Sequence, residues 1–240
     1  MFARPVAPAT TVRDMHIEVR HAPSFSAARI QLGPNEGIRA ESGAMAAHST
    51  TVDVEAKAEG GVFKSLKRAT VGGESLFVTT YTAGPSGGWV DVAPNLPGDI
   101  KVVELTGNAL ALTKGSWLCN GTDVAIETKW GGWKNLVGGE GGFLIRAEGS
   151  GPVVLSSYGA VDRLELADGE EVVVDSGHVV AFDPNLGMTL SKVAKGWMNT
   201  AKSGEGFVFR FTGPGWVMTQ TRNPGALIEW LTEVLPFSRS

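Results

Sequence analysis

An all-β fold, a β-sandwich built from three similar repeats and closed by one C-terminal helix, is what the sequence predicts, and three observations carry that prediction. A glycine–glutamate passage recurs three times, as V-G-G-E-S-L-F-V-T-T-Y-T from Val71, V-G-G-E-G-G-F-L-I-R-A-E from Val137 and S-G-E-G-F-V-F-R-F-T from Ser203. A second element precedes each passage: A-R-I-Q-L-G-P-N-E-G-I-R-A-E-S-G-A-M from Ala28, V-V-E-L-T-G-N-A-L-A-L-T-K-G-S-W from Val102 and D-R-L-E-L-A-D-G-E-E-V-V-V-D-S-G-H-V from Asp162. Within a copy the apolar residues alternate, which is the period of a half-buried strand. Glu74, Glu140 and Glu205 fall about 65 residues apart, a spacing that marks whole structural units.

The elements follow in order. Residues 1–13 hold Pro5 and Pro8 and lack the apolar run of a secretory signal, so they read as a loose leader. The first repeat is assigned to residues 14–100, the second to 101–160 and the third to 161–240, all within one compact unit. Each repeat opens as strand, tight turn, strand, and meets a glycine corner at Gly43, Gly115 or Gly177. Short helices with an aromatic near a basic residue are expected ahead of the glycine–glutamate passages, in G-V-F-K-S-L-K-R-A, G-G-W-K-N-L and K-G-W-M-N-T-A-K. In the last copy Phe207, Phe209 and Phe211 share one strand face, and Val208, Arg210 and Thr212 share the other. Gly213-Pro214-Gly215 then reverses the chain into a hairpin, with counterparts at Gly84–Gly88 and Gly149–Pro152. Asn223 as N-cap and Pro224 at the first helical position start the helix. Its apolar stripe, Leu227, Ile228, Leu231, Val234 and Leu235, is expected to pack on the β body.

A chain of 240 residues needs no staples, because a globule of this size hides roughly 70–75% of its unfolded surface. Cys119 is the single cysteine, which excludes an internal disulfide and a cysteine metal cluster and fits a reducing, cytoplasmic setting. The formal net charge of -4 argues against a general polyanion binder, and the densest basic stretch, Lys64–Arg68, is short enough to be a solvated face. Nucleic acid is therefore not an expected partner. No stretch approaches the ~18 apolar residues of a membrane span.

Motifs that suggest chemistry fail on their context. G-G-E-G-G at Gly138–Gly142 lacks the Lys-Ser/Thr pair of a phosphate loop and sets a carboxylate where phosphate would lie. G-P-S-G-G at Gly84–Gly88 matches the nucleophile elbow but sits between two strands, where that motif needs a strand and a helix. The N-G-T at Asn120 is a glycosylation match, irrelevant to a cytosolic protein. His16, His21, His48 and His178 show no metal-ligand spacing, so neither metal nor cofactor is implied.

Asp175 and His178, in V-D-S-G-H, are the nearest approach to an acid–base pair, because a glycine corner can bring carboxylate and imidazole together. The structural alternative has Asp175 capping backbone N–H groups of the turn. Gln220 and Arg222 belong to a polar end where the repeat pattern stops before the helix, and any surface specific to this copy would lie there. Of the seven tryptophans, Trp130, Trp133 and Trp197 precede the second and third glycine–glutamate passages and are candidates for a subunit interface. Base stacking is the other use of such residues, but no basic residues interleave them.

Four ordered motifs extend across the chain: G-G-E-S-L-F at Gly72–Phe77, A-P-N-L-P-G-D-I at Ala93–Ile100, V-D-S-G-H-V-V-A-F at Val174–Phe182, and F-T-G-P-G-W-V-M-T-Q-T-R at Phe211–Arg222. Through them the sequence resembles the altered-inheritance-of-mitochondria family from about Met15 to Leu235. The resemblance implies three copies similar to the tryptophan RNA-binding attenuation protein, in a sandwich described as a double-stranded β-helix. It also implies an organising role at the mitochondrial inner membrane for eukaryotic relatives and no established reaction for bacterial ones. The chain shows no Arg-rich amphipathic presequence, so a bacterial cytoplasmic member is expected. P-N-E-G at Pro34–Gly37, where the family tends to have P-G-E, and Ser203 before the third glutamate are departures at the level of turns. The expected function is a non-enzymatic interaction or scaffold protein that forms homo-oligomers and meets other proteins. A small-ligand or RNA-binding module is the alternative, and an enzyme using Asp175 and His178 is the third reading.

Overall fold

The computed structural model describes residues 15–58, 77–127, 144–192 and 207–235, and within them the strands group into three similar units. The first unit holds β1 (His16–Arg20), β2 (Ala27–Leu32), β3 (Gly37–Glu41), β4 (Met45–His48), β5 (Val52–Ala58), β6 (Phe77–Ala83) and β7 (Gly88–Val92). The second holds β8 (Ile100–Thr113), β9 (Trp117–Gly121), β10 (Val124–Glu127) and β11 (Leu144–Ser156). The third holds β12 (Val161–Leu166), β13 (Glu171–Asp175), β14 (Val179–Phe182), β15 (Gly187–Lys192), β16 (Phe207–Thr212) and β17 (Gly215–Gln220), and helix α1 (Pro224–Val234) follows. The chain is thus mostly antiparallel β-structure with one C-terminal helix. The short helices expected ahead of the glycine–glutamate passages, and Glu74, Glu140 and Glu205 themselves, lie outside the described residues.

One pairing pattern is used three times. In the first unit β7 lies between β2 and β4, and β6 lies between β3 and β5. In the third, β17 lies between β12 and β14, and β16 between β13 and β15. In the second, β8 and β11 are each long enough to serve both sheets, with β9 beside the last part of β11 and β10 beside its first. Even an irregularity recurs: the register slips between Met45 and Ala47, between Trp117 and Cys119, and between Val179 and Ala181. Met45, Trp117 and Val179 are therefore equivalent positions, as are His48, Asn120 and Phe182.

Successive units join edge to edge. β3 pairs with β9, placing Ala40 opposite Cys119 and Arg39 opposite Asn120. β8 pairs with β14 at the same positions of the unit, Leu112 opposite Ala181 and Ala111 opposite Phe182. These joins run one sheet through the molecule in the order β12-β17-β14-β8-β11-β9-β3-β6-β5, with β10 beside β11. Smaller sheets close the two ends, β1-β2-β7-β4 and β13-β16-β15.

The turn residues that predicted hairpins mark corners instead. β6 and β7 are consecutive, as are β16 and β17, yet the members of each pair belong to different sheets. The reversal expected at Gly149–Pro152 does not occur, since β11 runs through it with only a register shift between Glu148 and Ser150. Gly149 at φ 139 and Gly151 at φ 134 flank that shift, at φ values that glycine adopts readily. At the corner between β2 and β3 the Gly33 N–H donates to the Glu36 carboxylate at 2.8 Å, and between β12 and β13 the Ala167 N–H donates to Glu170 at 2.8 Å. Asn35 at φ 61 takes the left-handed conformation that Gly169 takes at φ 73. Asparagine tolerates that region, so P-N-E-G builds the same turn.

The sheets enclose apolar cores that each draw on a neighbouring unit. Leu118, Cys119 and Val154 pack into the core of the first unit, and Val180, Ala181 and Met218 into that of the second. In the third, the Phe182 and Phe211 rings lie 5.0 Å apart and Phe209 stacks on Phe211 at 5.7 Å, while Arg210 on the opposite face is exposed. The alternation read at Phe207–Thr212 is therefore the one formed. Helix α1 departs from expectation: no residue of it is buried, and Ile228 and Trp230 are 60% and 57% exposed. Eleven residues cannot hold a helix by propensity alone, so its start must be fixed from outside.

Candidate functional site

Asp175, His178, Gln220 and Arg222 all come to one corner. It is the 3-10 turn Ser176–His178 between β13 and β14, with the end of β17 and the start of α1 beside it. The turn forms because Asp175 Oδ1 accepts from the Gly177 N–H at 2.8 Å. Asn223 Nδ2 donates to the same Oδ1 at 3.2 Å. Asn223 Oδ1 meanwhile accepts from the Gly225 N–H at 2.8 Å and the Ala226 N–H at 3.4 Å. One side chain thus caps the helix and ties that cap to the corner. A Cβ at position 177 would run into the Asn223 amide, so this approach requires Gly177.

Gln220 is buried and bridges two segments: Oε1 accepts from the Tyr158 N–H at 2.8 Å and Nε2 donates to the Gly177 carbonyl at 2.9 Å. His178 Nδ1 lies 2.7 Å from the Gln220 carbonyl oxygen, which can only accept, so Nδ1 carries a proton. Arg222 donates through Nη1 to the Thr221 carbonyl at 3.1 Å, and its backbone N–H donates to Tyr158 at 3.2 Å. Asp175 and His178 share no hydrogen bond, because each is turned to a different neighbour. The arrangement formed is the one in which Asp175 caps the turn. Trp130, Trp133 and Trp197 lie outside the described residues.

Sequence reasoning missed a cluster of three charges among the described residues. On β7, Asp91 accepts from Arg29 Nε and Nη2, both at 2.8 Å, and Arg20 Nη2 lies 3.1 Å away. The bidentate bond from Arg29 holds the Asp91 carboxyl below the usual carboxylate range; burial works against this and Arg20 adds to it. Arg29 also lies 4.1 Å over the Trp89 ring, and at the equivalent positions of the third unit Arg163 lies 4.3 Å over Trp216. Val102 and Pro152 stand there in the second unit. The available signal was an aspartate inside W-V-D-V-A, a strand otherwise apolar.

Two other groups respond to burial. It pushes the Glu41 carboxyl up, against the pull of Lys114, and it pushes up the Cys119 thiol, leaving an inert core cysteine. Among the described residues no three metal-ligating side chains gather, and no helix is long and apolar enough to cross a membrane.

A profile of the family described as mitochondrial biogenesis AIM24 matches residues 17–222. The chain is similar to an uncharacterised protein of Streptococcus pyogenes serotype M6, 29% identical over 232 residues that cover 93% of this chain and 92% of the other. It is also similar to a Streptococcus pyogenes protein of known crystal structure, with a TM-score of 0.76 and 27% identity over 92% of this chain and 100% of that one.

Proposed function

On the premise that the chain belongs to the mitochondrial biogenesis AIM24 family, we propose that it is a non-enzymatic interaction or scaffold protein of the bacterial cytoplasm, associating with itself and with other proteins. The observation that carries this reading is the uncovered apolar face of α1. Ile228, Val234 and the capping Leu235 of its stripe are exposed, as is Trp230 on the helix flank, and apolar surface of that kind marks protein contact. The corner supports it from the other side, because Asp175, His178 and Gln220 spend their polar atoms on holding the turn and the helix cap.

Light scattering on the full chain tests self-association, with a mass above the 25.2 kDa of one copy expected. Asp175→Ala is expected to loosen the helix, cost about 1 kcal/mol of stability and alter assembly without abolishing any discrete turnover. A reaction lost specifically in Asp175→Ala or His178→Ala, with the fold intact, would instead establish the enzyme reading.

A second reading is a small-ligand or RNA-binding module, by analogy with the tryptophan RNA-binding attenuation protein. The two Arg-over-Trp stacks at equivalent positions favour it, and the net charge of -4 weighs against RNA. Thermal-shift screening with tryptophan and short RNAs decides between the readings: a stabilising ligand supports the second.

A further inference from the structure

The two inner joins leave one unused half at each end of the molecule. β3 and β8 offer an edge that β9 and β14 accept. β13 is the third copy of the offering edge and β4 the third copy of the accepting edge. Among the described residues each is terminal in its own sheet, and the two do not pair with each other. Burial registers the difference: all of β9 and β14 is buried, whereas in β4 Met45 is 36% exposed and Ala46 is exposed as well. On the other edge Val173 is 51% exposed, while its equivalent Ala111 is wholly buried.

We propose that β13 of one copy pairs antiparallel with β4 of a second copy in the register of the inner joins, so that copies assemble head to tail. That register sets Val174 opposite Ala47 and Val173 opposite His48. The inference rests on the self-association proposed above and names the surface responsible. Three features support it. An open edge presents unpaired backbone N–H and C=O groups, a template for another strand. The guards on these edges are light: neither strand carries proline or lysine, Glu171 and Asp175 stand only at the two ends of β13, and the shortness of β4 and its slip between Met45 and Ala47 both recur in β14, which is paired. Finally, the molecule makes this join twice, so the unit's two edges already fit in twist and spacing. The contact is heterologous, and the rotation per copy decides between a ring and an open fibre.

Facing residues of an antiparallel pair sit about 4.5–5.5 Å apart, within disulfide reach. The native cysteine is buried, so new surface thiols report alone. Oxidising a mixture of Val173→Cys and His48→Cys chains is expected to give a linked dimer that neither variant gives alone. Val173→Lys, at an exposed position, is expected to keep the fold and lower the light-scattering mass to one chain. Self-association that persists in Val173→Lys, with no linked dimer in the mixture, overturns this inference and leaves the scaffold reading standing. A single-chain mass for the unmodified protein overturns both. A disulfide formed within one chain carrying both substitutions, at single-chain mass, shows that the edges close on each other and also overturns it.

Discussion

Strands β9 and β4 occupy the same place in consecutive units and differ in what lies beside them. β9 reads W-L-C-N-G and is buried throughout, because β3 of the preceding unit covers its edge. β4 reads M-A-A-H, has no strand beside its outer edge among the described residues, and holds two exposed and two half-buried residues. A buried tryptophan is possible at position 117 because a neighbour completes the enclosure; at position 45 the same backbone carries a partly exposed methionine. Burial in this strand is therefore a property of the join and not of the unit. The equivalent site on the adjoining strand differs in the same way, since Asp91 with its two arginines stands in β7 where the second and third units hold Val154 and Met218.

The largest effect that would sharpen this contrast comes from truncating the equivalent pair. Trp117→Ala is expected to cost about 3–5 kcal/mol, as large buried aromatics do, and Met45→Ala to stay within about 0.5 kcal/mol. Urea denaturation of both variants measures it, and equal costs would break the comparison. A smaller contrast lies three residues on. Asn120 Oδ1 accepts from Trp117 Nε1 at 2.9 Å, and its Nδ2 donates to Gly121 at 2.8 Å and Val124 at 3.0 Å. Asn120→Ala strands those buried partners, at a cost of about 2 kcal/mol, whereas His48→Ala gives up a bond to the adjacent Ser49 carbonyl and a tilted contact with the Tyr81 ring at 6.4 Å, and is expected to cost about 1 kcal/mol.

The smallest effect is confined to acid. Asp91 has a folded-state pKa below its unfolded one, so its contribution is present above the ordinary carboxylate value of about 3.9 and is lost as pH falls through the lower folded value. Glu41 has the opposite sign, because its raised value gives stability below the ordinary value that is lost as pH rises through the folded one. Thermal midpoints between neutral and acid pH are expected to fall less steeply in Asp91→Asn than in the parent. An unchanged acid limb would show that the cluster adds nothing beyond the apolar residues of the second and third units.

Side-chain patterns in the sequence told much of this, and backbone relations told little. The period of two at Phe207, Phe209 and Phe211, the cap at Asn223 and the recurrent glycine corner are written in residue types, and all three are present. Gly-Pro-Gly at 213–215 encodes a change of direction but not whether the flanking strands bond each other, which is how corners passed for hairpins. The joins of β3 to β9 and β8 to β14 run through main-chain groups, which carry no side-chain signature. At the candidate site, proximity on the chain brought Asp175 and His178 into one turn, but their bonds are decided by Asn223 and Gln220, more than 40 residues away. The stripe on α1 was legible and its destination was not, since amphipathicity predicts an apolar face and leaves open what covers it.

The join between β3 and β9 also has a place in time. β3 is complete once Glu41 has been synthesised, but its covering strand ends at Gly121, which a ribosome reaches on the order of ten seconds later. For that interval the nascent first unit carries an edge whose intended partner does not yet exist. Chains growing side by side on one message hold such edges close together. The order in which strands emerge, and how soon β9 arrives, then govern whether an edge is claimed by its own chain or by a neighbour's.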